Sequence, residues 1–257
     1  MDADRTGAGE PSRTLALLWG EPSAPRKGPA RSVAVGRLVD AALAIADEQG
    51  LAGVTVRAVA ERVGIAPMSV YTYVPGKPEL LDLMVDALYA GMARPDSEER
   101  PWRERVTEIA QANRELLTRH PWLTEVAALS RPPLGPGVMA KYEHELAAFD
   151  GTGLSDVDVD ASLTYLLGFV QAHCRSAHDA ARAVTDTAMS DEQWWSANQP
   201  ILVRALDPAA FPRAVRIGAA AGEAQGGAWG ASQAWAFGLA RTLDALAALI
   251  EGREPHA

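Results

Sequence analysis

Cysteine is all but missing: Cys174 is the only one in 257 residues. No intramolecular disulfide can close, and a Cys-rich metal site is excluded. Long apolar runs are missing too, since no window approaches the ~18 consecutive apolar residues a membrane span needs. The N-terminus has no basic segment followed by an apolar core, so no signal peptide is expected and a cytoplasmic protein is. Signatures of catalysis are equally scarce. No nucleophile elbow, HExxH, phosphate loop, GxGxxG, zinc spacing or paired-carboxylate motif occurs. His120, His144, His173 and His178 are available, but His173 and His178 miss the i, i+4 spacing of helical metal pairs. The expectation is a protein that is not an enzyme and has neither cofactor nor metal.

What is present is a globular composition, 48% hydrophobic and 22% charged. The net charge of −9 argues against nucleic acid until it is divided along the chain. Residues 31–77 carry five cationic side chains (Arg31, Arg37, Arg57, Arg62, Lys77) against four anionic ones (Asp40, Asp47, Glu48, Glu61). The first 30 residues balance, so residues 78–257 hold a net −10. Phosphate binding needs positive charge on one face and not over the whole protein.

Residues 1–30 contain Pro11, Pro22, Pro25, Pro29 and several Gly, with one apolar patch at Leu15–Trp19. That composition builds no core alone and reads as a flexible arm. Arg13, Arg26 and Lys27 make it partly basic, which suits either a solvated linker or an arm on a minor groove or phosphates. A helical period starts near Ser32, with Leu38, Ala41, Ala42 and Ile45 on one face and Gly50 at the C-cap. Thr55 is placed to cap a short second helix with Val56, Val59, Ala60 and Val63 as its buried stripe, and Gly64 allows a tight turn. A third helix is expected over 66–73. A fourth begins at Gly76-Lys77-Pro78 and buries Leu81, Met84, Val85 and Leu88. Beyond Pro95 nothing alternates like a strand. Helices are expected at about 101–119, 121–129, 136–149, 157–182, 192–206 and 229–252, with an ordered loop or mobile insertion over 207–228.

A short helix, a glycine turn and a second short helix form a helix-turn-helix, here spanning Thr55 to Tyr73. The first helix packs its valines inward and the second offers polar and aromatic side chains to a major groove. Pro67, Met68, Ser69, Tyr71, Thr72 and Tyr73 are the exposed candidates, with Val70 and Val74 pointing back to the core. On spacing alone, three tightly connected core helices fit as well. The run from Ala42 to Met92, above all VRAVAERVGIAPMSVYTYVPGKPELLDLMVD, closely resembles the DNA-binding domain of TetR-family repressors. The resemblance lies in a small-residue-rich first helix, T-x-R-x-V-A, G-I at the turn, an S-x-Y recognition helix and a Gly-Lys-x-x-L-L start to the fourth helix. It implies that Arg57 contacts phosphate or a base edge, and that Pro67, Met68 and Ser69 read bases. By the same likeness Tyr71 and Tyr73 meet the backbone, and Lys77 holds a phosphate with the help of its helix dipole. Thr72 stands where many relatives carry a larger or basic residue.

Residues 101–250 resemble the tetracycline-repressor branch more loosely, through W-x-x-x-V at Trp102, Leu116–Trp122, Ser130–Pro132 and Gly168–Val170. The likeness implies an all-α homodimer that binds palindromic double-stranded operator DNA and is released by a small hydrophobic effector, an antibiotic or a metabolite. The expected layout is an arm (1–30), a three-helix DNA-binding domain (31–77) and a larger helical effector-binding and dimerisation domain (78–257). A helical small-molecule-binding protein or enzyme, with the helix-turn-helix as packing only, is the alternative. Asn113, Arg131, Tyr142, Glu145, Tyr165, Phe169 and His173 are the candidate effector contacts, apolar or aromatic groups with a few convergent polar ones. Tyr165, Phe169 and His173 share one helix face by their i, i+4, i+8 spacing. Trp194-Trp195 reads as a staple holding a loop to the core or as the mouth of a pocket, and Cys174 as a buried thiol.

Overall fold

The computed structural model describes residues 5–20, 29–95, 99–127, 129–226 and 229–252, and the side chains of 29–33 lie outside that description. All regular structure among the described residues is helical. The helices are α1 (Pro11–Leu18), α2 (Pro29–Gln49), α3 (Val56–Val63), α4 (Pro67–Val70), α5 (Lys77–Ala90), α6 (Trp102–Arg119), α7 (Leu123–Val126), α8 (Pro136–Ala147), α9 (Asp156–Thr187), α10 (Asp191–Ala205), α11 (Pro212–Gln225) and α12 (Ala231–Glu251), with a 3₁₀ turn at Leu51–Gly53. None of the described helices is long and apolar enough to cross a membrane. The chain divides into two compact units, residues 1–168 and 169–257. The division does not fall at the 77/78 boundary expected from the sequence.

In the first unit the expected core forms. Leu38, Ala41, Ala42 and Ile45 of α2 are buried together with Val54, Val59, Ala60, Val70 and Val74. Thr55 caps α3, its hydroxyl accepting the Ala58 N–H at 3.1 Å. Gly64 ends the helix at φ +78°, a left-handed turn that costs glycine little. α4 is one turn long, shorter than the expected 66–73; past Val70 the chain tightens into a turn over 71–73, with the Thr72 and Tyr73 N–H groups bonding three residues back. α5 buries Leu81, Met84 and Val85 as expected and Leu80 besides, while Leu88 is only half-buried. The same helix also buries three carboxylates, Glu79, Asp82 and Asp86. Asp86 Oδ1 accepts the Val138 N–H at 2.8 Å, so α5 supplies the cap for the first turn of α8. Gly137 makes that approach possible, since a Cβ there would collide with the Asp86 carbonyl.

The arm expected over residues 1–30 is corrected for residues 5–20, which fold and dock. Pro11 stands at the first helical position, where its missing N–H costs nothing, and Glu10 caps α1 by accepting the Ser12 and Arg13 N–H groups at 3.2 and 2.9 Å. Leu18 and Thr14 are then buried. Arg26 and Lys27 lie outside the described residues, and Arg13 is exposed.

The second unit contains the largest departure from the sequence reading. Residues 212–225, expected as loop, form α11. Gly218 and Gly222 lower helix propensity, but Pro212 starts the helix well and Gly226 (φ +66°) ends it. Gly222 lies against the indole of Trp195, so that tryptophan staples α10 to a helix and not to a loop. α10 buries no side chain, and α11 buries only Gly222. Trp194, Ile201, Leu202, Val203, Phe211 and Ile217 stay exposed.

Candidate nucleic-acid interface

The first unit presents the recognition residues on one outward surface. α3 packs its Val59 and Ala60 inward and leaves Arg57 exposed. On α4, Pro67 is exposed, Met68 is 75% exposed and Ser69 is half-buried, while Val70 points to the core at 1%. Past the end of α4, Tyr71 is 48% exposed, Thr72 is exposed and Tyr73 is half-buried. The N–H groups of Thr72 and Tyr73 bond back to the Ser69 and Val70 carbonyls at 3.2 and 2.9 Å, which closes this tight corner. Lys77, at the start of α5, is half-buried and donates to the Leu51 carbonyl at 3.4 Å. A second cation comes from Arg37, which touches the Val63 carbonyl at 3.5 Å.

The head is joined to the rest of the first unit by α5 and by a polar tie at the end of α2. Asp47 Oδ1 accepts from Trp122 Nε1 at 2.7 Å and lies 2.8 Å from His120 Nδ1. Trp122 is buried at 3%, so its indole N–H depends on Asp47 for a partner. The sequence reading noted the Leu116–Trp122 run for its likeness and missed this contact. Asp47 lies on the exposed side of an amphipathic helix and carries no signal of its own.

Of the expected effector residues, five belong to the first unit and two, Phe169 and His173, to the second. Asn113 and Glu145 meet in the first unit, the amide donating to Oε1 at 2.5 Å, and Lys141 Nζ reaches the other carboxylate oxygen at 2.6 Å. All three are buried. Burial pulls the Lys141 ammonium down from its ordinary range, with the Glu145 charge opposing that shift. The same ammonium stands 4.9 Å from the Tyr89 ring centroid, and burial pushes the Tyr89 hydroxyl up. A cavity of about 40 Å³ adjoins this group, lined among others by Arg105, Ile109, Lys141, His144 and Glu145. That volume admits water but no drug-sized molecule. Lys141 went unnoticed in the sequence because a lysine between Ala140 and Tyr142 reads as surface.

Arg131 is exposed, and so is Tyr165, with over half its surface free. Tyr142 turns outward and donates its hydroxyl to Asp160 Oδ1 at 2.7 Å, so these three stand apart from the Asn113–Glu145 cluster. In the second unit Phe169 and His173 do come together. Trp235 of α12 stacks on Phe169 with centroids 5.4 Å apart, and His173 lies between Trp235 and Trp229 at 5.1 and 6.2 Å. The two tryptophans were missed, since aromatic residues near the C-terminus read as ordinary core. Cys174 is buried as expected.

A small all-helical head with an outward recognition turn, followed by a larger helical body, defines a helix-turn-helix DNA-binding regulator. The family model described as bacterial regulatory proteins, tetR family matches residues 38–84, and that described as tetracyclin repressor-like, C-terminal domain matches residues 94–250. The chain is 36% identical over 251 residues to the HTH-type transcriptional repressor DrrR1 of Streptomyces coeruleorubidus, covering 97% of this chain and 90% of that protein. Among solved structures, the TetR family protein ActR of Streptomyces coelicolor in complex with (S)-DNPA is 26% identical, with a TM-score of 0.66 over 83% of this chain and 96% of ActR. Apo ActR gives 26% identity and a TM-score of 0.67 over 83% of this chain and 94% of that one. The chain belongs to the TetR family, and it is a ligand-responsive transcriptional regulator of the repressor kind.

Proposed function

We propose that two copies of this chain bind a two-fold symmetric operator in the cytoplasm, block transcription there without catalytic turnover, and leave it when a small hydrophobic effector binds. The observation that carries the reading is the outward recognition surface, with Met68 and Tyr71 free and Val70 and Val74 holding the turn to the core. Arg57, Tyr71, Tyr73 and Lys77 are the proposed backbone contacts, and Pro67, Met68, Ser69 and Thr72 the proposed base contacts. One such turn offers too few base contacts for useful specificity, which is why a dimer and two half-sites are needed. The apolar side chains left exposed on α10 and α11 support association, because a monomer would present them to water.

For the effector, the aromatic group of Phe169 and His173 with Trp229 and Trp235 is the preferred candidate. It offers flat apolar faces with one titratable nitrogen. Asn113 and Glu145 are a separate polar candidate in the first unit, and Arg131, Tyr142 and Tyr165 remain candidates only as surface groups. ActR, a relative at 26% identity, is known in complex with (S)-DNPA, in line with a small organic effector here. Release requires that the effector favour one arrangement of the head over another. α5 and the Asp47 tie to Trp122 and His120 are the connections through which that preference would act. The test is selection of duplexes from random DNA by the full-length protein, followed by footprinting. An inverted repeat protected over successive major grooves is expected; a monomer on a single unrepeated site would end the reading.

A further inference from the structure

Residues 5–20 make contacts that an arm reaching for DNA would not make. Thr6 is fully buried and sends both its N–H and its hydroxyl to the Val126 carbonyl, at 3.0 and 3.1 Å. The Gly7 N–H goes to Asp82 Oδ1 at 2.9 Å, and the Glu10 N–H to Glu79 Oε1 at 3.4 Å. Leu18 is buried, and the Trp19 indole N–H ends the run on the Leu134 carbonyl at 2.7 Å. The segment therefore has one end on the last residue of α7, the other on the stretch between α7 and α8, and its middle on α5, the helix that carries the DNA-reading head into the body.

Its seam is not closed like a core. Asp82 Oδ2 and Thr14 Oγ1 are buried there without a protein hydrogen-bond partner. Groups of that kind lose their hydration when shielded from water and regain it on exposure. Burial of Leu18 and the five hydrogen bonds just described work against them. Opposed contributions of this kind suit a segment that docks and undocks.

We propose that Thr6–Trp19 is an intramolecular strap that ties α5 to the α7–α8 stretch and so holds the reading head in its DNA-binding arrangement. The strap contributes to operator affinity by preorganisation and not by touching DNA. Two heads must meet two half-sites at a set spacing, and a head free to swing on an untied α5 gives up more conformational freedom on binding. This rests on operator binding as proposed above, but the strap has a readout of its own.

Gly7→Pro is the decisive variant. Gly7 sits at φ +68° and donates the N–H to Asp82, whereas proline is held near −65° and has no N–H. Trp19→Phe is the mild companion: Trp19 is 53% exposed, and the change removes only the bond to Leu134. Trypsin cleavage after Arg13 reads docking, since α1 must open before that bond is cut. Affinity for the duplex selected by the wild-type dimer, measured across salt concentrations, reads the consequence. Gly7→Pro should be cut after Arg13 at least roughly tenfold faster and lose roughly 5–20-fold in operator affinity with an unchanged salt slope, and Trp19→Phe should move both in the same direction by less. Faster cleavage with unaltered affinity would overturn the proposal. So would a slope reduced by one or more, which would make the segment a phosphate-binding arm, or a cleavage rate indifferent to both variants. If the wild-type chain selects no duplex at all, the operator reading fails, while the cleavage rates still report whether the strap docks.

Discussion

Lys77 stands at the start of α5, where its ammonium reaches the Leu51 carbonyl at 3.4 Å and where a phosphate contact is proposed. Lys77→Ala should weaken all duplexes alike and lower the salt slope by about one unit, while Ser69→Ala should change the preference among operator variants. Equal slopes for wild type and Lys77→Ala would restrict this lysine to its carbonyl. Asp82 is the opposite case, a charge with a cost. Burial pushes its carboxyl up to about 6 from 3.8, against the pull of the Gly7 N–H and with a smaller push from Glu79. The folded state thus holds the proton more tightly than the unfolded chain does. This group's contribution to stability is present in acid and is lost as pH rises through about 6. Asp82→Asn removes that loss. Its stability relative to wild type should be greater at pH 7.5 than at pH 5 by about 1 kcal/mol in urea unfolding, and a pH-independent difference would show that Asp82 is not titrating there.

Among elements, α5 and α8 form the closest pair, and the contact depends on what is absent from Gly137. A side chain there meets the Asp86 carbonyl and Ala90, both on α5. Gly137→Val should lower stability by about 2–3 kcal/mol through forced separation of the two helices, read as a shifted urea midpoint with the slope unchanged. An unshifted midpoint would mean that α8 can start elsewhere. Element by element, legibility followed locality. α3 and α5 could be read from Thr55, Gly64 and the spacing of their apolar residues, because caps and helical periods are written within a few positions. α4 is shorter than expected because the backbone past Val70 tightens to bonds three residues back, which side-chain spacing does not announce. α1 and α11 were missed for one reason: the surrounding segments, 1–30 and 207–228, are rich in proline and glycine, although within each helix proline stands only at the start. Burial of Leu18 in the one, and Trp195 against Gly222 in the other, supplies the stability from a distance.

At the scale of the molecule, the sequence by itself determined the class. A chain with one cysteine, no strand pattern and a helix-turn-helix of this residue order is an all-helical regulator, and its proposed recognition residues are contiguous in sequence. The effector residues could not be listed in that way. Tyr142 and Glu145 are three positions apart on α8, yet Tyr142 turns to Asp160 while Glu145 is buried on Asn113 and Lys141. Periodicity says which residues share a face of a helix, but not which neighbouring helix that face will meet. The buried carboxylates of α5 and the docked strap belong to the same class of facts. Asp82 accepts a hydrogen bond from Gly7, 75 residues earlier in the chain, and Thr6 donates to Val126, 120 residues later. Polar groups are tolerated inside a protein only where the fold brings them a partner, and a partner that distant is chosen by tertiary packing alone.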